Sequence, residues 1–291
     1  MTIAITGASG FIGRGLAAQL RREGHTVRAI SMRGDLNRDS FVGCDAVVHL
    51  AGEPVAQRWT TAARRRIIDS RVNGTRAVVA AMTHLEHKPA VLVSASAVGY
   101  YGSRGAEILT ESSPPSSDFL SEVAVAWEGE ARAAEKLGVR VVTLRIGVVL
   151  GPAGGALARM LLPFRLGLGG RLGNGQQWMS WIHLEDLLAL IQFALRTPRL
   201  SGAVNAVAPH PATNAEFTRA LAHALHRPAI FPVPPFALKL LFGEMAEILL
   251  GGQRVLPEAA QREGFQFRYF DLAAALEDAL GSHKTSGTPN A

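Results

Sequence analysis

Short apolar runs alternate with longer amphipathic segments through the first half of the chain. The apolar runs are nearly continuous in Val, Ile, Leu and Ala, and they are Ile3–Thr6, Thr26–Ile30, Ala46–Leu50, Ala90–Ser94 and Val139–Leu144. Such runs are typical of parallel strands that helices cover on both faces. Helical spacing of apolar residues marks the segments between them: Phe11–Arg22, Arg66–Thr83 and Ser121–Leu137. This alternation predicts an α/β fold with a doubly wound parallel sheet.

Glycine and proline become frequent after Gly151-Pro152, which predicts a second, smaller lobe. That lobe is predicted to be mostly α-helical, with an extended linker over 228–235 and helices at Glu185–Leu195, Glu216–Leu225 and Phe236–Leu250. We therefore expect a Rossmann domain over 1–155, to which the chain returns at about 180–205, and a C-terminal substrate lobe over 156–281. The polar residues 282–291 are expected to form a disordered tail.

Composition narrows the class of protein. The chain has 291 residues, of which 48% are hydrophobic, so it can bury a large core. It has no apolar stretch near the roughly 20 residues that a membrane helix needs, so we expect no membrane partner and a cytoplasmic location. The single cysteine, Cys44, cannot form an intrachain disulfide and is expected to be an inert, partly buried thiol.

A formal net charge of +6 raises the question of nucleic acid. The arginines cluster at Arg58, Arg64–Arg66, Arg71 and Arg76, where an apolar segment follows them. This pattern predicts the solvated outer face of a helix, and no nucleic-acid-binding motif accompanies it. We expect small anionic molecules as partners and no nucleic acid, with a monomer and a homodimer equally open.

A glycine turn joins the first predicted strand to the first helix. The segment reads Thr6-Gly7-Ala8-Ser9-Gly10-Phe11-Ile12-Gly13, which places G-x-x-G-x-x-G where a dinucleotide-binding fold needs it. Gly7 allows a tight turn, Gly10 lets the backbone approach a phosphate, and Gly13 lets the helix pack close to the strand. We expect Gly7, Ser9, Gly10, Phe11, Ile12 and Gly13 to bind a cofactor pyrophosphate at the helix N-terminus.

The end of the second strand indicates which cofactor is bound. An acidic residue there favours NAD, and a basic residue favours NADP with its 2′-phosphate. Ser31 and Arg33 follow this strand, with Arg14 and Arg28 as further candidate cations, so NADP is the preferred cofactor. Asp35 lies close enough to act as the acid of an NAD site, which keeps NAD as the alternative.

These residues resemble the extended short-chain dehydrogenase/reductase superfamily and, within it, the atypical NAD(P)-dependent epimerase/dehydratase-like branch. Besides the glycine turn, the resemblance is carried by the segments 45–54, 94–102, 144–152, 162–170, 181–186, 224–228 and 252–257. It covers almost the whole chain. The sequence departs from the family between the second strand and residue 45, where a short Arg33–Leu36 segment replaces a longer one.

The resemblance implies further contacts with the cofactor. Leu50, Ala51 and Gly52 would lie along it, Ser94 and Ala95 would lie beside the nicotinamide, and Ile146, Gly147 and Val148 would pass near the carboxamide. Hydride-transferring members of the superfamily use a Tyr-x-x-x-Lys dyad, in which the lysine lowers the pKa of the phenol. The tyrosines here are Tyr100, Tyr101 and Tyr269, and none has a lysine four residues later.

An acid or base must then come from elsewhere if the protein catalyses a reaction. Tyr101 is preferred, with Ser94, Ser96 and Glu122 as further candidate catalytic residues, because they cluster at the strand end and the first turn of the next helix. The Tyr100-x-x-x-Arg104 spacing is interpreted as coincidence. Gln177 and Trp178, after a glycine turn, are candidate substrate-binding residues, with an ordinary hairpin as the alternative. Trp127, Gln253 and Arg254 could face the same cleft.

Two histidine pairs, His84-x-x-His87 and His223-x-x-His226, lack the carboxylate of a zinc protease site, so no metal is expected. His183 is interpreted as a structural or cofactor-proximal residue. The sequence thus favours an NADP(H)-binding epimerase/dehydratase-like oxidoreductase that acts on a small molecule. The alternative is a non-catalytic sensor or scaffold protein that kept the cofactor and lost hydride transfer with the dyad.

Overall fold

A central parallel sheet organises the molecule, whose computed structural model describes residues 1–34, 36, 39–152 and 154–281. The strands are β1 (Thr2–Thr6), β2 (Thr26–Ile30), β3 (Ala46–His49), β4 (Val91–Ala97), β5 (Ile108–Leu109), β6 (Arg140–Ile146), β7 (Val148–Leu150), β8 (Trp178–Met179), β9 (Trp181–His183), β10 (Gly202–Ala206), β11 (Ala212–Thr213) and β12 (Arg254–Val255). Six of them form one sheet in the order β10-β6-β4-β3-β1-β2. All five pairings in that sheet are parallel. The predicted α/β fold class is confirmed.

Helices cover both faces of this sheet. They are α1 (Phe11–Arg22), α2 (Thr61–Thr83), α3 (Phe119–Arg132), α4 (Gly155–Arg165), α5 (Leu184–Arg196), α6 (Asn214–Ala224), α7 (Pro235–Phe242), α8 (Ala246–Leu250), α9 (Glu258–Arg262) and α10 (Leu272–Leu280). The chain runs from β1 to β2 on one side and then crosses to β3 on the other side of β1. Ligands bind such sheets in the crevice at the carboxyl ends of the strands where the order reverses, here β1 and β3.

Capping residues explain where two helices begin. The helix predicted from Arg66 starts earlier, at Thr61, because the Thr60 side chain accepts a hydrogen bond from the Ala63 N–H. Asp118 caps α3 in the same way, by accepting from Leu120 and Ser121. The prediction of a single helix over Phe236–Leu250 is wrong. Gly243, with φ 60°, ends α7, and a short 3₁₀ turn separates it from α8.

The C-terminal half returns to the main sheet twice. Strand β10 pairs with β6, and Ala259, Ala260 and Phe265 pack into the same core as β1 and α5. A second core lies on the other face and includes Cys44, which is buried; burial raises the pKa of its thiol. A separation into domains at residue 155 stays a proposal. The predicted tail over 282–291 lies outside the described residues.

His49, the last residue of β3, ties the sheet to α2. Its Nδ1 lies 2.6 Å from the Thr6 hydroxyl and its Nε2 lies 3.0 Å from the Thr75 hydroxyl. The ring is fully buried, and this burial lowers its pKa to about 4. His49 is therefore a neutral, hydrogen-bonded core residue directly before the segment Leu50–Gly52.

Candidate functional site

The glycine turn after β1 leaves no space for a β-carbon at Gly7 or Gly13. Gly7 has φ 72°, and a β-carbon on it would lie 2.8 Å from the Ala51 nitrogen. A β-carbon on Gly13 would lie 2.8 Å from the Ala8 Cα and would collide with the Gly7 carbonyl oxygen. The Gly10 N–H donates to that same carbonyl at 2.9 Å. The turn, the end of β3 and the start of α1 therefore pack together at backbone contact distance.

The N-terminus of α1 is open to an anion. Gly10 occupies the N-cap position without a side-chain cap, and the first turn of the helix contains no acidic residue. The N–H groups at the start of a helix have no partner within it and carry partial positive charge. Phe11, Ile12 and Gly13 provide these groups here. A cofactor pyrophosphate fits this chemistry, because it needs N–H donors, positive potential and close backbone approach.

Two residues at the end of β2 are placed to reach a ligand beyond the strand. Ser31 and Arg33 are exposed, and the Arg33 N–H donates to the Ser31 hydroxyl at 3.1 Å. Arg14 is also exposed, whereas Arg28 donates to the Val42 carbonyl oxygen at 2.7 Å. Asp35, the alternative residue for NAD, lies outside the described residues.

The segments expected from the resemblance lie at the carboxyl ends of the strands. Leu50–Gly52 follows β3 and contacts Gly7. Ile146 ends β6, and Gly147 packs so tightly that a β-carbon on it would lie 2.9 Å from the Val207 side chain. Ser94 and Ala95 lie on β4, where Ser94 is fully buried and its hydroxyl donates to the Ala95 carbonyl oxygen at 3.2 Å.

Ser96 belongs to a buried ion pair. Its hydroxyl donates to Glu128 Oε1 at 2.8 Å, and Arg145 binds both oxygens of the same carboxylate, at 2.8 and 2.9 Å. Burial works against the charge on Arg145, but the hydrogen bonds and charge of Glu128 outweigh it and raise the pKa of the guanidinium. These contacts favour a structural role for Ser96, since its hydroxyl is already committed to Glu128.

Tyr101 continues this network. It is fully buried, its hydroxyl donates to Asn205 Oδ1 at 2.7 Å, and it accepts from Arg145 Nη1 at 2.9 Å. Burial raises the pKa of Tyr101 to about 12, against the opposing effect of Arg145. A phenol in this setting is poorly suited to exchange protons near neutral pH. The neighbouring Tyr100 is partly exposed, and its ring stacks 3.4 Å from the Arg145 guanidinium carbon.

The remaining candidate residues differ in how far their side chains are exposed and in the contacts that they already make. Glu122 is exposed in the first turn of α3. Gln177 donates its side-chain amide to the carbonyl oxygens of Leu172 and Leu249, which favours a structural role. Trp178 is partly buried and carries the Arg254 guanidinium over its ring at 4.4 Å. The Arg254 Nε is buried and has no hydrogen-bond partner among the described residues.

The arginine cluster on α2 forms the predicted solvated face, with one exception. Arg64, Arg65, Arg66 and Arg76 each pair with a carboxylate and keep a large part of the side chain exposed. Arg71 is different: it is mostly buried, and burial lowers its pKa to about 10. The interpretation of Arg71 as part of that face is wrong, because its side chain turns back over Gly52.

His183 caps α5 through Nδ1, which accepts from the Glu185 N–H at 3.2 Å, and its ring is buried. In the part of the chain that the structure describes, no cluster of three His, Cys, Asp or Glu residues could hold a metal ion. Within the same residues, no helix is long and apolar enough to cross a membrane.

Sequence patterns did not identify Glu128, Arg145, Asn205 and Arg71 as members of this region. Glu128 and Arg145 are charged residues in apolar segments, and that pattern is the one signal that could have marked the pair. The contact between Tyr101 and Asn205 joins residues 104 positions apart, which local periodicity cannot predict.

Comparison with known proteins matches the chain to a family of cofactor-binding proteins, over a range that includes the glycine turn. The model of the NAD dependent epimerase/dehydratase family matches residues 3–207, and a domain of unknown function (DUF1731) matches residues 233–279. An Arabidopsis thaliana protein, "Epimerase family protein SDR39U1 homolog, chloroplastic", is 43% identical to this chain over an alignment of 298 residues. The match covers 95% of this chain and 86% of that protein.

Solved structures agree with the fold. The human epimerase family protein SDR39U1 (isoform 2), crystallised with NADPH, has a TM-score of 0.89 and 36% identity, covering 97% of this chain and 99% of that one. A nucleoside-diphosphate sugar epimerase from Corynebacterium glutamicum has a TM-score of 0.81 and 34% identity, covering 97% of this chain and 58% of that one.

Proposed function

The chain belongs to the NAD-dependent epimerase/dehydratase family, and we propose that it binds NADP(H) at the carboxyl ends of β1 and β3 and acts as an oxidoreductase or epimerase on a small polar molecule. The observation that carries this proposal is the turn Gly7–Gly13, which has no room for a β-carbon at Gly7 or Gly13 and leads into the uncapped N-terminus of α1. When bound, the cofactor would supply hydride transfer, and the chain would supply binding and orientation.

NADP(H) is proposed over NAD(H) because Arg33 and Ser31 are exposed at the end of β2. A guanidinium can bind a phosphate through two parallel hydrogen bonds, and a hydroxyl can add a third. The human relative crystallised with NADPH supports the same choice. A cytoplasmic location stays a prediction, since one relative is described as chloroplastic.

Arg254 and Trp178 support an anionic group on the substrate. The guanidinium stacks on the indole and has neither a hydrogen bond nor an ion pair among the described residues, so a ligand can complete its contacts. A sugar nucleotide has such a group in its diphosphate, and the relative from Corynebacterium glutamicum is described as a nucleoside-diphosphate sugar epimerase. Arg254→Gln should weaken binding of UDP-glucose, used as a probe, and leave NADPH binding unchanged.

A sensor or scaffold without turnover is the second candidate. Ser96 and Tyr101, two residues expected to take part in catalysis, are committed to Glu128, Arg145 and Asn205. Neither is then free for proton transfer. Among the tyrosines described, Tyr100 is the one beside them that is partly exposed, and it takes the acid/base role in the enzyme hypothesis.

The test begins with fluorescence titrations of the purified protein with NADPH and NADH. Consumption of NADPH is then followed against carbonyl compounds and nucleotide sugars. Turnover that Tyr100→Phe removes, with cofactor affinity retained, supports the enzyme. Tight binding without turnover supports the sensor, and failure to bind either cofactor defeats both candidates.

A further inference from the structure

Among the residues that the structure describes, Arg71 forms no salt bridge with a carboxylate, unlike the other arginines of α2. Its Nη1 group donates to the Glu53 carbonyl oxygen at 2.9 Å and to the Ile67 carbonyl oxygen at 3.3 Å. Both acceptors are neutral. Burial lowers the pKa of Arg71, and the charge of Glu53 offsets this effect only in part, so burying this cation remains costly.

Part of this guanidinium is still available. The Nε and Nη2 groups have no hydrogen-bond partner among the described residues. Neither nitrogen is among the buried side-chain atoms without a partner, so both keep contact with solvent. Arg71 can therefore donate further hydrogen bonds to a ligand without breaking those that it makes to the backbone.

The guanidinium lies close to a glycine and a tryptophan. A β-carbon on Gly52 would lie 3.4 Å from the Arg71 Cζ, and the Trp127 ring centre is 5.1 Å from the same atom. Gly52 follows Ala51, whose nitrogen contacts Gly7 of the glycine turn. The charge of Arg71 thus lies next to the backbone that borders the turn.

The order of strands in the sheet indicates which half of the cofactor would lie near the Arg71 guanidinium. Arg33 follows β2 on one side of β1, whereas Gly52 follows β3 on the other side. A dinucleotide that spans the reversal point, with its adenosine 2′-phosphate at Arg33, has its nicotinamide half on the side of β3 and β4. Arg71 lies on that side.

We propose that Arg71 binds the nicotinamide half of NADP(H), with Nε and Nη2 donating to oxygens of its ribose. The positive charge that a Tyr-x-x-x-Lys dyad would place on the helix after β4 then comes from α2. This inference rests on the proposed cofactor binding. Arg71 is a binding residue in this account, and its guanidinium is also in contact with Trp127 and close to Gly52.

The experiment compares two probes by titration. NADPH contains the nicotinamide ribose, and adenosine 2′,5′-bisphosphate does not. We expect Arg71→Gln to weaken NADPH by about tenfold or more, as for a lost charged hydrogen bond, and to leave the bisphosphate affinity unchanged. Arg71→Lys should recover part of the NADPH affinity. Arg65→Gln, on the exposed face of α2, is the matched control and should change neither value.

Three results would overturn the inference. NADPH affinity that Arg71→Gln leaves unchanged excludes the contact. Equal losses for both probes show that Arg71 acts only by holding the backbone at Glu53, since a structural effect does not distinguish the two halves of the cofactor. A wild-type protein that binds neither probe defeats the proposed function itself. The titration of the wild type alone reveals this outcome, before any variant is measured.

Discussion

The Glu128 carboxylate and the Arg145 guanidinium form a two-point ion pair between α3 and β6, and both side chains are almost completely buried. Removing one member of such a pair leaves an uncompensated charge in the core. Glu128→Gln should therefore lower the free energy of unfolding by about 3 kcal/mol, as measured by urea denaturation.

Glu130→Gln is the control for this substitution. Glu130 lies two residues along the same helix and pairs with Arg76, whose side chain is 59% exposed. Solvent screens that pair, so the change should cost much less than the loss of the buried Glu128 carboxylate. Equal effects of the two substitutions would mean that burial does not govern the strength of the Glu128 pair.

Gly13→Ala should weaken cofactor binding by crowding the turn. The new β-carbon would collide with the Gly7 carbonyl oxygen, so the helix start must shift away from the phosphate position. We expect the dissociation constant for NADPH to rise by about tenfold or more, together with a loss of stability. Gly129→Ala, in α3 with nothing within 4 Å of its β-carbon, should keep wild-type affinity. Wild-type affinity in Gly13→Ala would contradict the assignment of the turn.

His49 should make the protein less stable in mild acid. Burial lowers its pKa to about 4 in the folded protein, whereas an imidazole in the unfolded chain titrates near 6.5. Between these values the unfolded chain binds a proton that the folded protein does not. The free energy of unfolding should then fall as the pH drops from about 6.5 to about 4, by about 3 kcal/mol in total, and this contribution should level off below pH 4.

The measurement is the free energy of unfolding across this pH range for wild type and His49→Gln. The difference between the two curves isolates the contribution of His49, and it should shrink with falling pH. His84→Gln, at an exposed position, should reproduce the wild-type curve. A constant difference between wild type and His49→Gln would show that the pKa of the ring is the same in the folded and unfolded states, which contradicts the effect of burial.

Arg33 should set the preference between the two cofactors. Arg33→Ala removes the cation at the end of β2, so NADPH affinity should fall by about tenfold and NADH affinity should stay the same. Arg132→Ala, which removes the same charge from an exposed position on α3, should leave the ratio of the two dissociation constants unchanged. A similar loss for NADPH and NADH would show that Arg33 does not recognise the 2′-phosphate.

Sequence periodicity predicted the sheet and the cofactor turn because both depend on local patterns. Strand β2 matches its predicted range, and α1 matches Phe11–Arg22, since apolar spacing and flanking glycines fix these ends. The break at Gly243 was missed, because a glycine inside an apolar segment does not reveal its φ from sequence alone.

The chemistry of the site was harder to predict because it depends on which side chains face each other. Tyr101 was preferred for its place beside Ser94 and Ser96, but its partners Arg145 and Asn205 come from strands much later in the chain. Arg71 was grouped with its neighbours by composition, although helical geometry turns it inward. Long-range packing thus decided which polar residues are available to a ligand.

The contacts of Glu111 bear on the order in which parts of the chain can fold during synthesis. Its Oε1 accepts from the Asn205 N–H at 2.9 Å and from the Ala259 N–H at 3.2 Å, and β5 beside it pairs with β12. During synthesis on the ribosome the glycine turn and its neighbouring strands emerge first. The contacts of Glu111 can be completed only after residue 259 has left the exit tunnel, so a chain that ends before this residue would lack the bond that joins Glu111 to Ala259.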